Sequence, residues 1–197
     1  IEYIIGNAGV SLLFCDRERR PICPASIATV DFDDAAAYAG FLDSGPFTTV
    51  APAATEIGMM LYTSGSTGRP KGVPLSHETQ LWGMEICEAI FGDISNHRLI
   101  VAAPMFHMNA TFNVKMALAG GATIILLPAF NARHYAEAIE RHKATWLTSV
   151  PTMLALVERE KDLLKTLNLG SVEKVSMGSA PLTQALFDKV QTLFPNA

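Results

Sequence analysis

Short apolar runs rich in β-branched residues alternate along this chain with segments of helical period, and that alternation admits few folds. The runs Val10 to Phe14, Ile57 to Thr63, Leu99 to Ala103, Ala122 to Leu127, Thr145 to Thr148 and Lys174 to Met177 have the length and composition of strands. Strands separated by helices pair in parallel, because each helix carries the chain back to the edge where the previous strand began. The pattern therefore predicts an α/β fold, a mostly parallel β-sheet flanked by helices. Ala122 to Leu127 is apolar almost throughout, as a strand covered on both faces should be, and is expected at the centre of the sheet.

The helices between these runs have readable ends. Asn131 is placed to cap a helix whose Tyr135, Ala138, Ile139 and His142 share one face, with Glu137 and Arg141 paired on the other. Thr183 caps another, for which Leu186, Phe187, Val190 and Phe194 form the inward stripe. Ser76 opens a third helix running toward Phe91, and Pro151 suits the first turn of a fourth. Asp43 to Thr55 carries Gly45, Pro46 and Pro52 among its threonines and reads as a surface connection. With no repeat or low-complexity stretch, residues 1–197 are expected to form a single α/β segment.

Composition narrows the function classes. Apolar residues make up 49% and charged residues 17%, enough for a substantial core and too little charge for a disordered tail. A net charge of −4 gives no footprint for nucleic acid, and the basic run Arg17, Arg19, Arg20 is diluted by Asp16 and Glu18. Cys15, Cys23 and Cys87 have neither disulfide-framework nor zinc spacing, and the histidines show no metal-ligand spacing, so no protein-held metal is expected. No apolar run is long enough for a transmembrane helix, and Ile1-Glu2-Tyr3 lacks the basic start of a signal peptide. A cytoplasmic setting is the expectation.

The most informative segment follows the second strand: Leu61-Tyr62-Thr63-Ser64-Gly65-Ser66-Thr67-Gly68-Arg69-Pro70-Lys71-Gly72. Glycines let a backbone turn sharply and bring its N–H groups close to an anion. Hydroxyls from Thr63, Ser64, Ser66 and Thr67 can donate to phosphate oxygens, and Lys71 supplies a mobile positive charge. The string is not a G-x-x-x-x-G-K-[ST] loop, because Pro70 stands where the second glycine would be and Gly72 where the hydroxyl would be.

The string closely resembles the signature of the adenylate-forming, or AMP-binding, enzymes: acyl-CoA synthetases, aryl-CoA ligases, luciferases and peptide-synthetase adenylation domains. By that resemblance the chain is a segment of the large N-terminal domain of an acyl-CoA synthetase, or carboxylate–CoA ligase. The resemblance implies activation of a carboxylic acid by ATP to an acyl-adenylate, then thioester formation with CoA, with Mg2+ as the attendant metal and fatty acid metabolism as a setting. Thr63, Ser64, Gly65, Ser66, Thr67, Gly68 and Lys71 would wrap the outer phosphates, with Lys71 catalytic.

Two further segments extend the likeness. Pro104-Met105-Phe106-His107-Met108-Asn109 resembles the family's Pro-x-Phe-His segment, which implies that Phe106, His107 and Met108 border the acyl pocket and that His107 is catalytic. Amino-acid-activating relatives usually carry Asp at the place of His107, where a carboxylate can pair with an ammonium. The imidazole therefore favours an acid without an α-amino group. Gly178-Ser179-Ala180-Pro181-Leu182 resembles the turn whose backbone lies against the adenine, and Val150-Pro151-Thr152-Met153 a helix start near the acyl pocket.

Before Ala197 there is no Tyr-Gly-x-Thr-Glu segment, whose Glu helps to hold magnesium in the family, nor the family's ribose-gripping Asp, hinge or small C-terminal domain. The expectation is a segment of a longer protein, inactive by itself, whose uncovered apolar surface promotes self-association. A nucleotide-binding module without catalysis, or a ligase that loads a carrier-protein thiol, is compatible with the same residues.

Overall fold

Residues 1–65 and 68–197 are described by the computed structural model, in which the apolar runs pair into separate sheets within two compact units, Ile1–Gln80 and Leu81–Ala197.

In the first unit α1 (Glu2–Ala8) leads through Gly9, in the left-handed region at φ 63°, to β1 (Leu12–Cys15). β1 pairs in parallel with β2 (Ala28–Asp31), from Leu12 opposite Ala28 to Cys15 opposite Asp31. The basic run lies in the exposed connection between them, where the Arg17 backbone N–H donates to Asp33 and Arg19 pairs with Asp16. Asp34 accepts from the Ala36 and Ala37 N–H groups and so starts α2 (Ala35–Phe41). Phe14 stacks on Phe32 and meets Phe41 edge-on at centroid distances of 5.5 and 5.3 Å.

After the surface connection come β3 (Ile57–Thr63) and β4 (Lys71–Ser76), an antiparallel hairpin running from Thr63 opposite Lys71 to Ile57 opposite Ser76, with one irregularity between Ile57 and Met59. Gly72 matters here because a Cβ would stand 3.1 Å from the Tyr62 ring across the hairpin. The Tyr62 hydroxyl in turn donates to Asn7 Oδ1 at 2.6 Å and ties the hairpin to α1.

The second unit, fed by α3 (His77–Phe91), is the parallel α/β body. Its strands are β5 (Arg98–Val101), β6 (Thr123–Leu126), β7 (Trp146–Ser149) and β8 (Lys174–Met177), with spatial order β6-β5-β7-β8 and every pair parallel. The connecting helices are α4 (Met108–Ala119), α5 (Ala132–His142), α6 (Pro151–Arg159) with the short α7 (Lys161–Leu164), and finally α8 (Gln184–Leu193). Side chains alternate across a strand, so neighbours in β5 and β7 feed two cores. Ile100 and Leu147 pack with Tyr135 and Ile139 of α5, Leu154 and Val157 of α6, and Val190 and Phe194 at α8. Leu99 and Trp146 pack with Cys87 of α3 and Met116 and Ala117 of α4.

The expected caps are in place: Asn131 Oδ1 accepts from the His134 N–H at 3.1 Å, Thr183 Oγ1 from Leu186, and Ser76 Oγ from Thr79. Two expectations are corrected. Ala122 to Leu127 yields β6, which is an edge strand of its sheet among the described residues. Only Ile125 in it is buried, and Leu126 is 54% exposed. An apolar run identifies a strand but not which neighbours it finds. Phe187 does not join the inward stripe of α8 and is 43% exposed, because Leu186, Val190 and Phe194 already fill the face toward α6.

The buried hydroxyl of Thr148 donates to the Ile100 carbonyl at 2.8 Å. The Tyr135 hydroxyl, fully buried, has no partner at hydrogen-bond geometry among the described residues. Burial pushes its ionisation above the usual phenol range, and the nearby Ser149 hydroxyl offsets that only in part. The three cysteines are free. Among the described residues no helix is long and apolar enough to cross a membrane.

Candidate active site

The glycine-rich string occupies the tip of the β3–β4 hairpin. Thr63 and Lys71 face each other as its last pair, so the two ends of the string are held one strand spacing apart. Gly65 and Gly68 both lie in the left-handed region, at φ 57° and 78°, and the Gly68 N–H donates back to the Gly65 carbonyl at 3.3 Å. A Cβ at Gly65 would overlap the Arg69 carbonyl oxygen, so the bend requires glycine. Thr63, Ser64 and Lys71 are exposed, and Lys71 has no ion-pair partner among the described residues. The hairpin thus groups Thr63, Ser64, Gly65, Gly68 and Lys71. Ser66 and Thr67, also expected here, lie outside the described residues.

In the second unit the other expected residues gather at the carboxyl edge of the parallel sheet. β5 passes its chain to α4 on one face, and β7 passes its chain to α6 on the other, so the strand order reverses between them. Loops diverge at such a point and leave a crevice outside the strand ends, the usual ligand position in open α/β sheets. The segment from Pro104 to His107 follows β5 directly. The turn from Gly178 to Pro181 follows β8, two strand positions away, a separation of roughly 10 Å.

His107 occupies the cap position of α4 with extended backbone, but its imidazole makes no capping hydrogen bond. It is exposed, and its ring lies 4.5 Å from that of Phe106, itself 71% exposed. The loop beneath is shaped by the His107 N–H donating to the Pro104 carbonyl and by the Thr111 hydroxyl donating to Met105. Met108, the first residue of α4, is also exposed. A packed or capping histidine would be buried or bonded; among the described residues this one is neither.

At the other end, the Gly178 N–H donates to the Ser149 carbonyl at 3.3 Å, and no described atom lies within 4 Å of a Cβ built at Gly178. Ser179 holds φ 66°, a conformation that a residue with a Cβ rarely adopts. Ala180 and Pro181 are exposed beside it. Backbone bared in this way suits a flat ring. In the α6 start, Pro151 and Met153 are buried in the core while Thr152 is exposed, so that segment contributes mainly packing.

His97 Nδ1 is 2.9 Å from Thr145 Oγ1 at the amino edge of the sheet, opposite to the candidate site. Among the described residues no group of His, Cys, Asp or Glu side chains could hold a metal ion. Two features escaped the sequence reading: the antiparallel partner β4, and the unusual backbone of Ser179. The second could have been suspected only from the Gly-Ser-Ala-Pro order.

Comparison with known proteins bears on the family and the fold. The family model described as AMP-binding enzyme matches residues 1–197. 4-Coumarate–CoA ligase 1 of Solanum tuberosum is 34% identical over 143 residues, covering 69% of this chain and 26% of that protein. A feruloyl-CoA synthase of Amycolatopsis sp is 34% identical over 128 residues, covering 64% and 26%. The ATP-bound crystal structure of MatB from Rhodopseudomonas palustris superposes with a TM-score of 0.81 at 26% identity, covering 98% of this chain and 40% of that one. The chain therefore spans about a quarter of the length of the curated relatives it matches.

Proposed function

The chain belongs to the AMP-binding enzyme family over residues 1–197, and from that premise we propose that the polypeptide carrying it is a carboxylate–CoA ligase acting through an acyl-adenylate. The observation that carries the reading is the hairpin tip: a family-wide signature string held with two left-handed glycines between Thr63 and Lys71. Glycines in that conformation let backbone N–H groups come close to an anion, which supports a role in holding phosphate oxygens.

In the proposed reaction a carboxylate oxygen attacks the α-phosphorus of ATP, the bond to the bridging oxygen breaks, and pyrophosphate leaves. Thr63, Ser64 and the loop amides hold the outer phosphates, and the Lys71 ammonium offsets the charge that grows on the leaving pyrophosphate. The Gly178–Pro181 backbone supports the adenine. Phe106, His107 and Met108 border the acyl group, and the imidazole is free to guide the incoming thiol, whose sulfur attacks the acyl carbon as AMP departs. The described residues do not fit a preformed magnesium site.

The exposed His107 supports an acid without an α-amino group, since nothing in the Pro104–Asn109 segment is acidic. The relatives named for 4-coumarate and ferulate put hydroxycinnamic acids first among candidates. The test is ATP–pyrophosphate exchange by the complete polypeptide with hydroxycinnamic acids, straight-chain fatty acids and α-amino acids, followed by CoA thioester detection. Exchange driven by a non-amino acid, with thioester formed on adding CoA, is the expected result. No acid-dependent exchange, or exchange with amino acids alone, overturns the reading.

A further inference from the structure

The turn proposed to carry the adenine begins at the end of β8, a strand with a single neighbour, β7, among the described residues. Backbone pairing alone holds such an edge strand loosely at its end, and the last tie, Gly178 N–H to the Ser149 carbonyl, is long at 3.3 Å. One side-chain bond adds to it. Trp146, 1% exposed and directly opposite Lys174 in the register, sends its indole N–H diagonally along β8 to Ser176 Oγ at 2.9 Å. A diagonal cross-strand reach of this length is open only to large side chains. The ring is also contacted by the Lys174 ammonium, 4.7 Å from its centroid, and by Phe91 packed edge-on at 4.8 Å.

Ser179, three residues beyond that bond, keeps its left-handed backbone only if both flanks of the turn are held. The downstream flank is stiffened by the fixed φ of Pro181 and by the Thr183 cap of α8. The upstream flank depends on Ser176. We infer that Trp146 and Ser176 act as a pair of positioning residues, a strut that sets the height of the Gly178–Pro181 turn and so tunes affinity for the nucleotide base. The inference rests on the ligase reading of that turn.

Two substitutions in the complete polypeptide test it: Trp146→Phe, which keeps an aromatic ring but removes the N–H, and Ser176→Ala, which removes the acceptor at a solvent-exposed position. Acid-dependent pyrophosphate exchange is measured against ATP and against the acid separately. The expected result is a rise of about threefold to tenfold in KM for ATP in each variant, the scale of one lost hydrogen bond. KM for the acid should stay within about twofold, the double variant should be no worse than the worse single one, and Ser176→Thr should restore the wild-type value. Equal rises in both KM values, additive losses, or an unmoved KM for ATP in Ser176→Ala overturns the strut while leaving the ligase standing. A wild-type polypeptide without acid-dependent exchange overturns both together.

Discussion

An alanine at position 65 would have to hold φ near 57° with its Cβ driven into the Arg69 carbonyl oxygen. The left-handed conformation costs an L-residue about 1–2 kcal/mol. The overlap is with a backbone atom, so no rotamer change relieves it, and overpacking of this kind adds about 1–3 kcal/mol. A penalty of roughly 2–5 kcal/mol on the loop shape lowers the population able to bind by about 30-fold or more. Gly68 provides the control. It too has a positive φ, 78°, but no described atom lies within 4 Å of a Cβ placed there. Gly68→Ala therefore incurs only the first penalty, a loss of about 5- to 30-fold. The assay is pyrophosphate exchange by the complete polypeptide with ATP below its KM, so that kcat/KM is read, with circular dichroism to confirm folding. Gly68→Ala at least as damaging as Gly65→Ala, or both variants within twofold of wild type, would refute the geometry on which the site is built.

Lys71→Ala should lower kcat/KM for exchange by roughly 10- to 100-fold, the worth of one hydrogen bond from a charged donor; a rate within threefold of wild type removes Lys71 from the phosphate site. Tyr135→Phe should leave stability unchanged or raise it by about 1 kcal/mol, since it deletes a buried hydroxyl that has no partner at hydrogen-bond geometry among the described residues. Its pH dependence has a definite sign. The folded phenol ionises above its unfolded value of about 10, so the unfolded chain loses this proton first and stability falls as pH rises past that value. Urea unfolding between pH 8 and 11 should show a shallower alkaline decline in Tyr135→Phe, and identical slopes would contradict the buried phenol. Asn131→Ala removes the cap at the His134 N–H and should cost about 1 kcal/mol in the same assay; an unshifted midpoint would show that α5 begins without it.

Local chemistry was the legible part of this chain. β3 and β8 begin and end where their compositions say, and Asn131, Thr183 and Pro151 start helices for reasons contained in a few neighbouring residues. β4 was hidden because Lys71-Gly-Val-Pro-Leu-Ser76 contains the two residues least at home in a strand. It forms because β3 supplies a partner, and Pro74 is tolerated on a strand paired along one side only among the described residues. β6 looked central because its composition suits two covered faces, yet lateral neighbours are decided by crossovers that composition does not encode. The same division holds at the candidate site. The signature string and the His107 segment stood out as strings, but that the first closes a hairpin follows from pairing across it. The bond from Trp146 to Ser176 links residues 30 apart and has no local trace.

The pairing of Thr63 with Lys71 has a consequence for how such a loop can change over generations. Side chains on a ribbon point alternately to its two sides, so slipping the register by one step turns every residue beyond it over. Deleting one residue between the two strands would have to be absorbed either by the bend or by that slip, and the slip would aim the lysine away from the side its loop serves. The number of residues in the bend is constrained as well as the glycine that its geometry demands.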